Sequence, residues 1–526
     1  MMVQHWWQRA VIYQIYVRSF QDSNDDGDGD IPGIIQRLDY LQALGVDALW
    51  LTPIHPSPWV DLGYDVSDYT DVHPRFGNID DLDRLLREAH ARDLRVLLDW
   101  VPNHTSSDHP WFRESRSSRD NPKRDWYLWA DGKPDGRPPS NWISVFGGSA
   151  WQWDDTTAQY YCHHFHQTQP DLNWHNPAVR GAMLAPLHFW LKRGVDGFRI
   201  DATSLIVKDP QLRDNPPNPL FQEGMSPDDA VQSVFNRDRP EVHEVLARIR
   251  QISDAYPGRV LLGELYQPME RVMHYHGEDR PELHVPLNLQ LVWCDWLPAA
   301  VAGVLDRYPR LLPPHGWPNW MLSTHDVPRL TDRLGQAQAR VAALLGYTLP
   351  GTLTLYYGEE IGLPPLDNPP DPPVDPQGRS TGQNRDPVRT PMQWSDAPDA
   401  GFGSAQPWLP LSGGQARYSV AAQCHDPYSM LSLHRRLIRL RREHPALVTG
   451  AVTPLDHTDE ILIYQRQQDH WRLLVVLNFS ERPQRVALDP AHRGGRVLLS
   501  TGLDRDNETV GEQLALAGDE GVAILL

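Results

Sequence analysis

The sequence predicts an α/β fold: a (β/α)8 TIM barrel with an inserted domain after its third strand and a C-terminal antiparallel β-domain. Three observations predict it. Short apolar runs alternate with helix-periodic stretches, the pattern of parallel strands joined by crossover helices. There are eight such runs, at residues 10–16, 48–54, 94–100, 197–200, 259–265, 284–290, 320–323 and 352–357, and eight βα units close into a barrel where an open doubly wound sheet usually stops earlier. Several of the runs end in charged side chains, the position barrel enzymes use for chemistry.

Taken in order, the first run is followed by Ile34, Leu38 and Leu41 at helical spacing, and the second by Leu82, Leu85, Leu86 and Ala89. Between His104 and Asp171 the rhythm stops in a segment rich in Trp, Pro, Gly and Asp, which reads as an inserted domain. A proline-rich loop (DNPPNP) within 207–240 follows the fourth run, and a third long loop, 363–410, follows the eighth. Loops of this length are usually functional lids or disordered. Near residue 445 the pattern changes, and segments 461–465, 472–478 and 497–500 read as strands joined by turns. The expected division is therefore 1–103 and 174–445 for the barrel, 104–173 for the insertion and 446–526 for the C-terminal domain.

The net charge of −19 disfavours nucleic acid and anionic membrane surfaces, and suits a neutral ligand such as a sugar. Cys162, Cys294 and Cys424 form no CxxC pair or disulfide framework, and residues 1–10 lack the basic and apolar regions of a signal peptide. No run is long and apolar enough to span a membrane. The expectation is a cytoplasmic protein, a monomer or small homo-oligomer. The 20 tryptophans exceed what packing needs, which weakly favours stacking on sugar faces.

The third run ends in Asp99, with Asn103 and His104 just beyond; the fourth in Arg199 and Asp201; the fifth in Glu264; the seventh in His325 and Asp326. A lone carboxylate at a strand end is most often a helix cap. Three converging carboxylates with an arginine and two histidines are costly as clustered charge, and so point to function. Elsewhere, residues 22–30 place Asp22, Asn24, Asp26, Asp28 and Asp30 at every second position around Gly27, like the first half of an EF-hand loop. Asp28 stands where an apolar residue is expected, and its carbonyl rather than its side chain would be the ligand. His163, His164 and His166 could suggest zinc, but no nearby cysteine or carboxylate is expected to complete a site, and they read as strand histidines.

DWVPNH, GFRIDA, GEL and THD, in this order and spacing, resemble the four motif regions of the α-amylase superfamily. WWQRAVIYQIYVRSFQDSNDDGDGD, GYDVSDY, FGGSAW, QPDLNW, YYGEEIG and RTPMQW resemble its α-glucosidase and oligo-1,6-glucosidase branch. The resemblance runs from Trp6 to about Pro445. It implies that Asp201 is the nucleophile, Glu264 the general acid/base and Asp326 the transition-state stabiliser of a retaining glycosidase. It implies further that Asp61, Tyr64, His104, Arg199, His325 and Arg389 serve the glucose pocket, that Phe146 and Phe165 wall it, and that Asp61 pairs with Arg389 across its closed end. A closed end means one glucose per cut. The resemblance also implies a structural Ca²⁺ (or Mg²⁺) in the acidic loop and no organic cofactor. Ala202, where related enzymes that prefer α-1,6 bonds carry Val, implies that α-1,4 bonds are cleaved at least as well as α-1,6. The rivals are a sucrose- or trehalose-related isomerase or transglucosylase on the same scaffold, and a non-catalytic sugar-binding or transporter-accessory protein. The second is disfavoured because all three carboxylates are present.

Overall fold

A computed structural model describes residues 5–222, 225 and 227–526 of the chain. Residues 1–4 and part of the proline-rich loop, both read above from sequence, lie outside the described residues. Eight parallel strands form one sheet: β1 (Val11–Ile15), β2 (Ala48–Leu51), β3 (Arg95–Trp100), β4 (Gly197–Ile200), β5 (Val260–Gly263), β6 (Val285–Pro286), β7 (Asn319–Met321) and β8 (Thr352–Tyr356). Their spatial order is β7-β8-β1-β2-β3-β4-β5-β6, every neighbouring pair parallel. At the remaining seam the Asn319 side chain spans the gap, accepting from the Asn288 amide at 2.8 Å and donating to the Pro286 carbonyl at 2.7 Å. The expected run 284–290 contracts to two strand residues there. Pro286 has no N–H to give a ladder, and the chain turns into a helix at Gln290–Trp293.

Strand side chains alternate between two faces. Ile12, Trp50, Leu97, Leu262 and Met321 share one apolar cluster inside the barrel, while Leu49, Leu98, Phe198 and Leu261 join the layer under the helices. Two residues beyond an inward position is again inward, so Gln14, Asp99 and Glu264 point into the mouth by the parity of their strands. Arg199 follows Gly197, where a Cβ would lie 2.1 Å from the Val260 carbonyl oxygen. The missing side chain lets β4 and β5 approach closely beneath the guanidinium.

The helix Ile79–His90 buries Leu82, Leu85, Leu86 and Ala89, and is capped by Asn78, which accepts from the Asp80 and Asp81 amides. The helix expected around Ile34 breaks in two, Ile31–Gln36 and Leu38–Leu44. The insertion carries a small antiparallel sheet of Trp129–Ala130, Gln159–Cys162 and Trp151–Asp154. At the C-terminus, Ala451–His457, Ile461–Gln468, Trp471–Asn478, Gly521–Leu525 and Arg496–Ser500 form an antiparallel five-stranded sheet. It docks on the helix Leu330–Thr348, from which Arg340 donates to the Thr501 carbonyl. Buried Arg466 donates to carbonyls of Leu447 and Gly450, among others, so its charge stays solvated by backbone.

Candidate active site

Arg199, 1 % exposed, is the centre of the site. Its guanidinium donates to Asp99 and to Asp201, both at 2.7 Å, and to Glu264. The Ala202 amide donates to the second oxygen of Glu264 at 3.0 Å. This bond depends on the turn after β4, where Ala202 adopts a left-handed conformation (φ 45°). Three carboxyl groups thus surround one fixed positive charge. Burial raises the pKa of both Asp201 and Glu264; each is raised further by neighbouring carboxylates and opposed by Arg199. The pair therefore retains a proton to higher pH than two isolated carboxyls would.

Asp326 lies opposite and differs in charge state. Burial works to raise it, yet His325, Arg385 and Arg389 hold it well below the usual carboxylate range. It accepts from Arg385 at 3.0 Å and Arg389 at 2.7 Å. His325 sits between Gln14 and the Tyr64 hydroxyl, 2.7 Å from each, and burial pushes it down to about 3, so the ring is neutral at physiological pH. Tyr64 stacks on that ring at 5.6 Å and also donates to Asp99. His104, pushed down by burial to about 4, lies 3.1 Å from the Gln169 amide and 5.1 Å from the Phe165 ring. Phe146 meets Phe165 edge-on at 6.0 Å. Every residue that sequence reading assigned to catalysis or sugar binding is thus connected to this one pocket.

One pairing is corrected. Asp61 bonds to Arg385 at 3.2 Å, not to Arg389, which is spent on Asp326 and the His325 carbonyl. Sequence reasoning does not single out Arg385, which stands four residues before Arg389 and outside the RTPMQW motif. It bridges Asp61, Asp326 and the buried Asp375 of the loop after β8, and lies over the Phe146 ring at 5.5 Å. Gln169, the first residue of QPDLNW, donates to Asp61 at 2.9 Å, a role the motif alone does not reveal. Tyr266, on the loop after β5, and Trp293, at the end of the short helix after β6, are 41 % and 56 % exposed with rings 6.0 Å apart. Tyr266 is close enough to the cluster for Glu264 and Asp326 to help burial raise its phenol.

A second correction concerns the histidines. Cys162 and Asp171 do come beside His164, with the sulfur 3.6 Å from each. The Lys208 ammonium stands 3.0 Å from Asp171 and also bonds Asn103, so a buried lysine already supplies the positive charge this cluster needs.

The acidic loop folds around its own side chains. Asp22 accepts from the amides of Asn24, Asp25 and Gly27, Asn24 from that of Asp26, and Asp26 from that of Asp28. Asp28 turns its carboxylate to Arg18 and Arg75, leaving its carbonyl. Asp30 caps the next helix through the Gly33 amide. Gly27 (φ 90°) is required, since a Cβ would meet the Gln406 carbonyl oxygen at 2.3 Å.

Residues 14–450 match the family model "Alpha amylase, catalytic domain". The chain is 43 % identical over 495 residues to a probable alpha-glucosidase of Rhizobium meliloti (strain 1021), covering 90 % of each. It is 38 % identical to an oligo-1,6-glucosidase of Parageobacillus thermoglucosidasius, covering 91 % of each. Among solved structures, an alpha-glucosyl transfer enzyme superposes with a TM-score of 0.93 at 42 % identity, covering 99 % of this chain and 100 % of that one. A trehalulose synthase does so with a TM-score of 0.91 at 33 % identity and the same coverage.

Proposed function

The chain belongs to the α-amylase family of glycoside hydrolases, and from that premise we propose that it is an exo-acting retaining α-glucosidase. It releases terminal α-linked glucose from short oligosaccharides and from aryl or alkyl α-glucosides, and passes part of the glucosyl flux to acceptors other than water. The observation that carries this reading is that one arginine holds Asp201 and Glu264 while an Asp61–Arg385 bridge joins the same cluster through Asp326, and we read that bridge as the closed end of a pocket for one glucose.

In the reaction, the Asp201 carboxylate attacks the anomeric carbon while the Glu264 carboxyl protonates the departing oxygen. A glucosyl ester forms on Asp201 and the leaving alcohol is released. Glu264, now a carboxylate, takes a proton from water, which attacks the same carbon and restores Asp201. Asp326, ionised at rest, offsets the charge that develops on the sugar ring. Neutral His104 and His325, with Asp61 and Arg385, supply fixed partners for the hydroxyls of one glucose. Tyr266 and Trp293 border the leaving-group side.

The acidic loop would hold Ca²⁺ or Mg²⁺ through Asp22, Asn24, Asp26, Asp30 and the Asp28 carbonyl. Hard oxygen donors and a chain already wound around them support this. The ion would serve the fold and take no part in the chemistry. The cytoplasm is the proposed compartment, supported by the unpaired state of all three cysteines.

A second reading, a glucosyl-transferring or sucrose-isomerising enzyme, is favoured by the names of the solved relatives. Incubation with maltose, isomaltose, sucrose and trehalose separates the two. The first reading requires glucose as the main early product, with maltose cleaved at least as well as isomaltose. A rearranged disaccharide from sucrose with little free glucose would establish the second.

A further inference from the structure

The structure assigns a second ligand site, outside the sugar pocket, for a phosphate monoester carried on a ring-bearing body. A groove of about 480 Å³ lies on the outer wall of the barrel between the helices Pro177–Arg193 and Val242–Asp254. Its apolar lining comes from buried Trp174 and Val245 and half-buried Leu184, with Pro177 at the exposed edge. Its rim carries three guanidinium groups, Arg180, Arg248 and Arg280, against one carboxylate, Glu244.

In a chain of net charge −19, a hollow lined by three arginines, two of them free of ion pairs among the described residues, runs against the general field. Arg180 is partly engaged, its Nε donating to the carbonyl of buried Trp174 at 2.5 Å, whereas Arg248 and Arg280 are not held in this way. Arg180 approaches Glu244 only at 3.7 Å, and that carboxylate is itself 64 % exposed. Arg248 contacts the Gln251 side-chain oxygen at 3.3 Å, and among the described residues neither it nor Arg280 forms an ion pair. Unpaired guanidiniums offer planar donor forks that match phosphate oxygens, and they recognise a dianion better than a single carboxylate. The apolar lining has no use for a bare ion; it suits the face of a sugar or base attached to the phosphate.

The lining is also rigid. Trp174 donates to the Pro102 carbonyl at 2.8 Å and meets Trp100 edge-on at 6.3 Å. Binding there would therefore add to a formed surface and need not order a loop first.

The test is isothermal titration of the full-length protein with ribose 5-phosphate, AMP, inorganic phosphate, ribose and adenosine, with glucose saturating the sugar pocket. Saturable binding of AMP or ribose 5-phosphate is expected, at least tenfold tighter than inorganic phosphate and weakening as salt is added. Ribose and adenosine should not bind. The double variant Arg248→Glu, Arg280→Glu should bind the esters at least tenfold more weakly. Both side chains are exposed and outside the sugar pocket, so its melting temperature and its turnover of an aryl α-glucoside should be unchanged. Whichever of the two esters binds identifies the body. Equal affinity for inorganic phosphate and the esters would overturn the ring-bearing part of the assignment. No saturable binding, or undiminished binding by a folded double variant, would overturn the site. Loss of glucoside turnover in the wild type would count against the glucosidase reading and leave the groove untouched.

Discussion

Replacing the Glu264 carboxyl by an amide keeps its shape and removes the proton donor. Glu264→Gln should therefore separate proton transfer from packing. A sugar leaving group needs the proton, so maltose hydrolysis should fall by roughly 10²–10⁴-fold, the usual contribution of a positioned general acid. An aryl glucoside with a strongly acidic phenol should keep its first step, giving a burst of phenol and a protein heavier by one glucosyl unit on Asp201. Azide should speed the second step and yield an α-glucosyl azide. An equal, modest loss on both substrates, with no burst, would remove Glu264 from the mechanism. Asp61 gives a pH test. Burial, against the opposition of Arg385, pushes its pKa up to about 7, above the usual value of about 3.9 for the unfolded chain. A raised carboxyl pKa contributes stability that is full below the unfolded value and is lost as pH rises through the folded one. Asp61→Asn, which stays neutral, should thus gain melting temperature relative to wild type between pH 5 and pH 8, while its KM for maltose rises. A difference in melting temperature that does not change with pH would contradict this charge assignment.

The loop 22–30 is clasped by the long loop after β8: Trp408 donates from its amide to the Gly27 carbonyl at 3.0 Å, and Ser404 to Asp25 at 2.6 Å. An ion held there would tie two elements together some way from the carboxylate cluster. Exhaustive chelation should therefore lower the melting temperature while leaving the rate at low temperature nearly unchanged. A ligand present at about 100 times its Kd stabilises the native state by roughly 2.7 kcal/mol. An unchanged melting temperature, with no metal by elemental analysis, would rule the ion out. The same contrast of elements explains what was legible in the sequence. Strand ends were legible because an apolar run followed by Asp99, Arg199 or Glu264 fixes both depth and face by a period of two. The pairing of Asp61 was not, because Arg385 and Arg389 stand on an irregular loop whose path has no periodicity. The sixth strand was overextended because its apolar pattern hid the missing N–H of Pro286. Lys208 and Asp171, far apart in sequence, meet only because the insertion folds back onto the turn after β4.

Across the molecule, charge and shape are divided between parts. The barrel fixes Arg199 and its carboxylates, the insertion brings His164, Phe165 and Gln169, and the loop after β8 brings Arg385 to Asp61 and Asp326. The proposed closure by that bridge requires removal of single glucose units, and the Asp201–Glu264 pair requires retention. Both demands are met or refused in one measurement, proton NMR of maltotriose turnover followed before mutarotation. The expected first products are α-glucose and maltose appearing together, any shortfall of glucose against maltose being matched by a glucosyl-transfer product. β-Glucose as the first anomer, or disappearance of maltotriose without released glucose, would contradict this expectation.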